Sequence, residues 1–412
     1  MRSSEAEALS GIKVLDLCRV VSGPFATMQL GDLGADVVKI EDPRSGDESR
    51  RYGPPFINGE SAYFLSVNRN KRSCTIDLKS PAGRDVVLAL AGVADVVVDN
   101  FRPGTLDKWG LSYEALRARN PRLIQCSITG FGRTGPDADR PGYDLIIQGE
   151  SGVMDITGEA EGPPMKVGTS IADLVTGLYA SQSVLAALMK RERTGIGARV
   201  DVSMLDAMAS LLTFNAGMYF ASGESPKRRG NVHPTISPYE TFEASDGWIN
   251  VGVANDKFWA LFCGVIGRKD LETDSRFDAA PKRAASRSIL AGILSPIFAA
   301  RTRAVWLEDL RAAGIPAGAI KPVGEVCEAA QLVARGMVQS VSHRVSGDVR
   351  FIARPIRFDD QPPAPSTAPP LLGEHTAEVL SEWLAWNGPA IAKFAGAGAF
   401  GSAAGQGGDQ PE

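Results

Sequence analysis

The sequence predicts an α/β protein built on a parallel sheet, and two observations support this fold class. Short apolar strands recur at IKVLDLC (12–18), ADVVKIE (35–41), KRSCTIDL (71–78), ADVVVDN (94–100) and RLIQCSITGFG (122–132). Helical patterns lie between them, such as FATMQLGDLG and PAGRDVVLALAGV, the second with Pro early and Gly late. Strands read as continuous apolar runs when helices cover both faces of a parallel sheet.

The pattern changes along the chain and predicts four segments. Residues 1–224 form the N-terminal part of a large α/β domain. Residues 225–325 read as a loop, a hairpin and helices, and predict a smaller α+β lobe. A proline-rich segment, 326–387, returns to the large domain and ends in a short helix. Residues 388–412 are rich in Gly and Ala, which predicts a disordered tail.

Composition excludes several classes of protein. The 412 residues carry a formal net charge of −4, with 44% hydrophobic and 22% charged residues, so we expect neither a nucleic-acid partner nor a membrane partner. We expect no apolar run of membrane-spanning length and, in MRSSEAEALSG, no secretory signal. Five isolated cysteines without a CxxC predict reduced thiols and a cytoplasmic location. The three histidines stand in no metal-ligand spacing, so no metal site is predicted.

Arginines follow several predicted strands, where parallel sheets bind their ligands. Arg19, Arg44, Arg102 and Arg133 stand in these loops, which indicates an anionic ligand such as a phosphate. The first loop has no GxGxxG, and the chain contains neither GxxxxGK[ST] nor GxSxG. These absences argue against a dinucleotide site, a P-loop and a serine hydrolase.

One carboxylate stands out in VGTSIADLVTGLYA (167–180). Asp173 lies at the start of an apolar helical run, with no Lys or Arg within four residues. The helix dipole and unpaired backbone N–H groups should keep it ionised, and an ionised carboxylate can act as a nucleophile. A role as helix N-cap is the alternative, and the two roles do not exclude each other.

Several stretches together resemble the class III CoA-transferase family, which includes formyl-CoA transferase and carnitine CoA-transferase. They are LSGIKVLDLCRVVSGPFATMQLGDLGADVVKIEDPRSGDESR, NRNKRSCTIDLKSPAGR, VDNFRPGTLDKWGL, RPGYDLIIQGESGVMDITG and PLLGEHTAEVL, over about residues 9–385. The resemblance implies a large Rossmann-like domain made from both chain ends, a small lobe, and an interlocked homodimer. It implies no prosthetic group, because coenzyme A arrives as part of the substrate.

The resemblance also implies site residues. Asp173 matches the nucleophile, which attacks an acyl-CoA thioester to give a mixed anhydride and then an aspartyl-CoA thioester. Two positions depart from the family pattern: Val21 stands where members can have Gln, and Asp42 where they can have a basic residue, for which Arg44 can substitute. The positions implied to contact coenzyme A are Val21, Ser22, Arg44, Ile76, Lys79, Asn100, Phe101, Arg102, Lys108, Arg140 and Tyr143.

Related functions remain open as alternatives. The similar α-methylacyl-CoA racemases need a histidine in a G-H-D step, where this chain has Gly142, Tyr143 and Asp144. Tyrosine, with a pKa near ~10, is a poor base at neutral pH, which favours a transferase over a racemase-like isomerase. A non-catalytic acyl-CoA-binding relative is the third class, and it would not require a carboxylate at position 173.

The acyl substrate is predicted to be a dicarboxylic acid such as succinate. The region that corresponds to the glycine run of formyl-CoA transferases is RRGNVHPTISPYETF (228–242), without GGGG, which weakens a formyl-CoA:oxalate assignment. Arg228, Arg229 and His233 are the candidates to meet the distal carboxylate, together with Tyr143 as a substrate contact. A turn with solvated arginines is the alternative interpretation of this segment.

Overall fold

The computed structural model describes residues 7–362 and 364–401, which divide into two compact units. The large unit runs through Val153, resumes at Lys166–Ala216 and includes the chain from Gln331 onward; the small unit is Met154–Met165 with Gly217–Ala330. The small unit therefore starts before the predicted 225 and gains a segment from far upstream. Backbone bonding explains the gain, because the Gly230 N–H donates to the carbonyl of Gly158 at 2.9 Å.

The strands and helices have the following bounds in the part of the chain that the structure describes. The strands are β1 (Lys13–Asp16), β2 (Asp36–Glu41), β3 (Phe56–Ile57), β4 (Glu60–Ser61), β5 (Lys71–Thr75), β6 (Val96–Asp99), β7 (Ile124–Thr129), β8 (Arg199–Ser203), β9 (Tyr239–Ala244), β10 (Gly247–Gly252), β11 (Ala317–Ala319), β12 (Val338–His343) and β13 (Gly347–Ile352). The α-helices are α1 (Ser22–Asp32), α2 (Ala62–Val67), α3 (Pro81–Val93), α4 (Thr105–Lys108), α5 (Tyr113–Arg119), α6 (Asp144–Glu150), α7 (Ile171–Thr194), α8 (Met204–Ala209), α9 (Thr213–Ser222), α10 (Asp256–Val265), α11 (Ala280–Ala285), α12 (Arg287–Ala299), α13 (Arg303–Ala312), α14 (Val323–Cys327), α15 (Ala330–Ala334), α16 (Thr376–Leu384) and α17 (Gly388–Gly396). Short 3₁₀ helices occupy Glu48–Arg51, Ser210–Leu212 and Lys269–Glu272.

A six-stranded sheet with the order β5-β2-β1-β6-β7-β8 organises the large unit, and all of its pairings are parallel. The direction of strand order reverses between β1 and β6. In open parallel sheets, ligands bind beyond the carboxyl ends of the strands at such a reversal. The predicted α/β class and the Rossmann-like arrangement are confirmed. The strand order predicts a ligand site at the loops after β1 and β6.

Helices cover both faces of this sheet and bury two apolar clusters. One face packs α1, α7 and α8 around residues such as Val14, Ile124 and Val184, all 0–1% exposed. The other face packs α3, α5 and α16 around residues such as Val97 and Leu90. Because α16 also packs against β5 and α3, the end of the chain completes the domain that the beginning of the chain starts.

The predicted disordered tail is wrong for residues 388–401. Helix α17 occupies Gly388–Gly396, begins with the side chain of Asn387 accepting the Ala390 N–H at 3.1 Å, and has Pro at its start. Phe394 stacks on Trp386 with ring centroids 4.5 Å apart, and Ala399 is fully buried. The Gly/Ala composition is misleading because a few aromatic side chains anchor the segment; residues 402–412 lie outside the described part of the chain.

The small unit is an α+β lobe, as predicted. Strands β9 and β10 form an antiparallel hairpin, and β11 joins the open edge of β10. Helices α10, α12 and α13 cover one face, where Phe242 stacks on Phe298 at 4.3 Å between ring centroids.

Helix α7 has the length and composition of a possible membrane span, which the sequence analysis did not expect. Its 24 residues include an 18-residue window with mean hydropathy 1.4, 44% of it buried within the protein. It packs against α1, β7 and β8. A single such helix is weak evidence for a membrane, because the core helix of a globular domain meets the same criteria.

Candidate active site

Two cavities of about 190 and 200 Å³ lie at the carboxyl edge of the large sheet. The first, the Asp173 cavity, is bounded by the loops after β1, β6 and β7 and by the start of α7. The second, the Ile76 cavity, is bounded by the loops after β2 and β5. Arg19, Glu48 and Phe101 line both cavities, which are therefore neighbours along one groove.

Two helices begin beside each other in the Asp173 cavity. Ser22 is the first residue of α1, and Asp173 lies in the first turn of α7. The two helices pack closely because Gly177 has no side chain: a Cβ there would lie 2.8 Å from the Ser22 carbonyl oxygen. Ser22 therefore lies beside Asp173, and its hydroxyl and backbone N–H lower the pKa of the Asp173 carboxylate.

A pair of glycines forms part of the wall of this cavity. Gly130 follows β7 and Gly142 precedes α6, and a Cβ on either would come within 2.7 Å of the other's Cα. The two loops therefore touch backbone to backbone. This contact brings Tyr143 and Asp144 next to the start of α7.

Asp144 supplies the helix cap that sequence analysis considered for Asp173. Its Oδ1 accepts the N–H of Ala172 at 2.9 Å, and its Oδ2 accepts from Gln148 Nε2 at 2.7 Å. The N-cap residue of α7 is Ser170, whose side chain caps nothing. The N-cap interpretation of Asp173 is therefore wrong, and its carboxylate remains in the cavity.

The pKa of Asp173 is raised to about 7. Burial is the main cause, the negative charge of Asp144 adds to it, and the hydrogen bonds from Ser22 oppose it. The sequence predicts that the helix terminus keeps this carboxylate ionised, whereas its surroundings favour the protonated form. Burial and a like charge outweigh the favourable helix terminus, which was the only effect visible in the sequence.

Sequence patterns missed Tyr63, which interacts with this carboxylate, and Tyr52, which packs against Tyr63. The pKa of Tyr63 is raised by burial and then by Asp173, and the Tyr63 and Tyr52 rings meet edge to face at 5.4 Å. The pKa of Tyr52 is raised by burial, then by Glu48 and Tyr143. No local pattern singles out YGPPFINGESAYF, so sequence spacing offered no signal for these residues.

Most positions implied to contact coenzyme A line one of the two cavities, and two do not. Arg44 pairs with Asp42, a residue of the Ile76 cavity, at 3.5 Å. Lys108 ends α4 outside both linings. Those in the Asp173 cavity are Val21, Ser22, Asn100, Phe101, Arg102, Arg140 and Tyr143, and those in the Ile76 cavity are Ile76, Lys79 and Phe101.

The cations of the groove differ in their partners. Arg140 forms ion pairs with Glu150 and, at 3.2 Å, with Asp137, and its guanidinium lies 4.3 Å from the centre of the Phe131 ring. The side chains of Arg102 and Lys79 make no hydrogen bond or ion pair within residues 7–362 and 364–401. Unpaired cations are better placed to bind phosphate groups, because no carboxylate has to be displaced.

The residues predicted to meet a distal carboxylate belong to the small unit. Arg228 donates to the Asp155 backbone carbonyl at 2.9 Å and pairs with its carboxylate at 3.1 Å. His233 Nδ1 accepts the Thr235 N–H at 3.2 Å, and its ring lies 5.3 Å from that of Tyr239. Arg229 is exposed. Their proposed role stays a prediction.

Metal-binding geometry is not found among the described residues, where no three His, Cys, Asp or Glu side chains are grouped to hold an ion. Four of the cysteines, Cys18, Cys74, Cys126 and Cys263, are buried, and none of the five forms a disulfide there.

The fold and the site define an α/β protein with a largely buried carboxylate in a cavity at the carboxyl edge of a doubly wound parallel sheet. The chain matches the family described as CoA-transferase family III over residues 9–376. It belongs to that family and is a class III CoA-transferase, as the resemblance implied.

Similar proteins support this assignment along nearly the whole chain. The succinyl-CoA:glutarate CoA-transferase of Mus musculus is 41% identical over 94% of this chain and 88% of its own length, and the succinate–glutarate CoA-transferase of Agrobacterium fabrum is 40% identical over 91% and 95%. A crystal structure of a CaiB/BaiF family protein from Brucella suis has a TM-score of 0.84 and 43% identity, covering 92% of this chain and 99% of that one.

Proposed function

We propose that this enzyme transfers coenzyme A from a dicarboxylic acyl-CoA, such as succinyl-CoA, to a second dicarboxylic acid, through Asp173 as nucleophile. Succinate and glutarate are named in the relatives described above, and each of those relatives aligns over at least 88% of its length. The main support for this proposal is the position of Asp173, which lines the groove beside Ser22 and does not cap its own helix.

The proposed reaction needs no external proton. A carboxylate oxygen of Asp173 attacks the thioester carbonyl, the C–S bond breaks, and coenzyme A leaves as a thiolate from a mixed anhydride. The thiolate attacks the Asp173 carbonyl carbon, releasing the first acid and leaving an aspartyl-CoA thioester. The acceptor carboxylate and then the thiolate repeat these two steps in reverse order, giving the new acyl-CoA and free Asp173.

The raised pKa of Asp173 has a direct consequence for this reaction. Only the charged form can attack, so we expect the rate of transfer to rise with pH as Asp173 ionises. Burial lowers the hydration of the carboxylate and limits water near the anhydride.

The racemase alternative has less support from the groove. None of His233, His343 and His375 lines either cavity, and Tyr143, at the corresponding position, is 67% exposed. Incorporation of deuterium at the α-carbon of a 2-methylacyl-CoA would favour an isomerase, whereas a transferase leaves that carbon unlabelled.

Oxalate should be tested as an acceptor acid beside glutarate. An acetyl-CoA:oxalate CoA-transferase of Acetobacter aceti is 40% identical over 91% of this chain. Activity with oxalate that exceeds activity with glutarate would move the assignment to the oxalate-type alternative.

We also propose a homodimer, interlocked as the family resemblance implies, acting in the cytoplasm without a prosthetic group. Apolar side chains that the monomer leaves exposed support the assembly, among them Leu178, Met189, Phe214 and Phe220, the last 81% exposed. Native mass spectrometry of the intact protein tests the assembly, and fluorescence microscopy of a tagged chain tests the location.

Trapping tests the proposed nucleophile. The protein is incubated with succinyl-CoA and hydroxylamine, and the peptide that contains Asp173 is analysed by mass spectrometry. We expect a hydroxamate at Asp173 and none in Asp173→Asn. An unmodified peptide, with acyl-CoA donors of several classes, would contradict covalent catalysis.

A further inference from the structure

The turn between β1 and α1 contains a strained residue. Val20 has φ of 69°, in the left-handed region that β-branched residues strongly disfavour. Val21 and Ser22 follow directly. Ser22 lines the same cavity as Asp173, and its carbonyl packs against Gly177, four residues after Asp173 in α7. The conformation of Val20 therefore sets where the first residue of α1 meets the nucleophile.

Side chains from strand β2 and from the loops after β2 and β6 hold this turn in place. The Val20 N–H donates to Asp47 Oδ1 at 3.1 Å. Lys39 Nζ donates to the Cys18 carbonyl at 2.7 Å. Asn100 binds Arg19 at both backbone groups, accepting the N–H at 2.9 Å and donating to the carbonyl at 2.7 Å. Three consecutive backbone positions are thus fixed by residues far away in sequence.

Lys39 and Asp47 also bind each other. Their charged atoms are 2.8 Å apart, and both side chains are completely buried. Asp47 Oδ1 additionally accepts the backbone N–H of Ser49 at 2.9 Å and its hydroxyl at 2.8 Å. Burial opposes ionisation of Asp47, but Lys39 and these donors hold its pKa at about 2, so the pair is charged at any working pH.

We infer that Lys39 and Asp47 are positioning residues for catalysis: their buried ion pair keeps Val20 in its strained conformation and thereby places Ser22 against Asp173. The inference rests on the proposed role of Asp173 as nucleophile. A buried ion pair is a poor source of stability compared with apolar packing, so its position under a strained turn calls for a role such as this one.

A glycine substitution at position 20 can show whether Asp47 positions the turn for catalysis or only supports the fold. Glycine adopts the left-handed region without strain, so a chain with Gly at position 20 needs less help to form the turn. If the ion pair acts through Val20, then Asp47→Asn should harm catalysis much less in a Val20→Gly background. If Asp47 only supports the fold, the losses of kcat caused by D47N and by V20G should be independent and therefore additive in free energy.

The experiment is a double-mutant cycle of D47N and V20G with succinyl-CoA and glutarate. We expect D47N to lower kcat by about 30-fold or more, since small displacements of reacting groups have effects of this order, with KM for succinyl-CoA changed by less than about threefold. We expect the same substitution to lower kcat by less than about fivefold in the V20G background. In D47N alone, the midpoint of the kcat–pH profile should move upward, because Ser22 no longer favours the charged form of Asp173.

Asp32→Asn is the matched control. Asp32 lies at the other end of α1 and forms a buried pair with Arg69, with Nε to Oδ1 at 2.9 Å. We expect both D32N and D47N to lower the melting temperature, because each leaves a buried cation without its charged partner, but D32N should leave kcat and the pH midpoint unchanged. If D47N does not fold, Lys39→Met with D47N removes both buried charges and carries the same expectation.

Three outcomes decide the matter. A hydroxamate at Asp173 with the cycle described above supports the inference. A hydroxamate at Asp173 with equal losses from D47N in both backgrounds, or with no loss, overturns it while the proposed function stands. Absence of any covalent adduct and transferase activity in the unsubstituted protein overturns the proposed function, and the positioning role with it.

Discussion

The carboxylate of Asp144 accepts the backbone N–H of Ala172 at 2.9 Å, one residue before Asp173. A residue that lies 28 positions before Ala172 thus caps the helix that carries Asp173, the proposed nucleophile. The same contact places a negative charge beside Asp173 and contributes to its raised pKa. Capping and pKa are therefore coupled through a single side chain.

Replacing Asp144 with Asn should separate the two effects. The amide oxygen can still accept from Ala172, but the negative charge is lost, so the pKa of Asp173 should fall from about 7. We expect the acidic limb of the kcat/KM–pH profile to move to lower pH. The exposed Asp139→Asn is the control and should leave the limb in place; an unmoved limb in D144N would contradict the coupling.

Asp173→Asn should abolish transfer and change how stability depends on pH. The unfolded Asp has the ordinary pKa of 3.8 and the folded one about 7, so between these values the folded chain holds a proton that the unfolded chain has lost. Stability of the unsubstituted protein therefore falls as pH rises through this window, by at most about 1.4 kcal/mol per pH unit. Asn does not titrate.

Urea unfolding at pH 5 and pH 8 measures this difference. The stability of D173N relative to the unsubstituted protein should increase from the lower to the higher pH. A relative stability that is constant, or that decreases, would show that the pKa of Asp173 is not raised.

Gly177→Ala should separate α7 from α1. The added Cβ would lie 2.8 Å from the Ser22 carbonyl oxygen and 3.0 Å from Phe25. Overpacking of this kind costs about 1–3 kcal/mol, and the displaced Ser22 should lower kcat. Urea denaturation and steady-state kinetics measure both effects.

Gly292→Ala is the matched control, since Gly292 lies in α12 and an added Cβ would meet open space. It should stabilise the protein by up to about 1 kcal/mol and leave kcat unchanged. Equal behaviour of the two alanine variants would refute the close-approach role of Gly177.

Arg102→Ala should weaken binding of acyl-CoA more than Arg140→Ala does. Arg102 is unpaired among the described residues and free to meet a phosphate, whereas Arg140 already binds Glu150 and Asp137. We expect KM for succinyl-CoA to rise about tenfold in R102A, the loss of one charge-assisted contact, with kcat little changed. A larger effect from R140A would reverse this assignment.

Phe394→Ala tests whether the C-terminal helix supports the groove. It removes the stack on Trp386 and should cost about 1–3 kcal/mol of unfolding free energy. The Ala399 carbonyl accepts the N–H of Asp77 at 2.8 Å, and Asp77 lines the Ile76 cavity, so KM for acyl-CoA should rise as well. The neighbouring exposed Lys393→Ala should change neither quantity.

The sequence by itself determined the parallel sheet, most of its strands, and the place of Asp173 in the first turn of a helix. Continuous apolar runs predict buried strands because the pattern is local, and β1, β2, β5, β6 and β7 lie where the sequence placed them. Strand β8 was not predicted, since RVDVS alternates and runs directly into α8. The family resemblance added the loops of the groove, most of whose residues line its cavities.

Only the tertiary structure decided the electrostatics of the site. Asp144 caps α7, Asp173 raises the pKa of Tyr63, and Asp47 accepts the N–H of Val20; each of these interactions joins residues far apart in the chain. Burial of a carboxylate and its distance from another charge depend on packing, so the raised pKa of Asp173 had no local signal. For the same reason the sequence missed the tail helix, whose stability comes from aromatic contacts and from a bond to a loop more than 300 residues away.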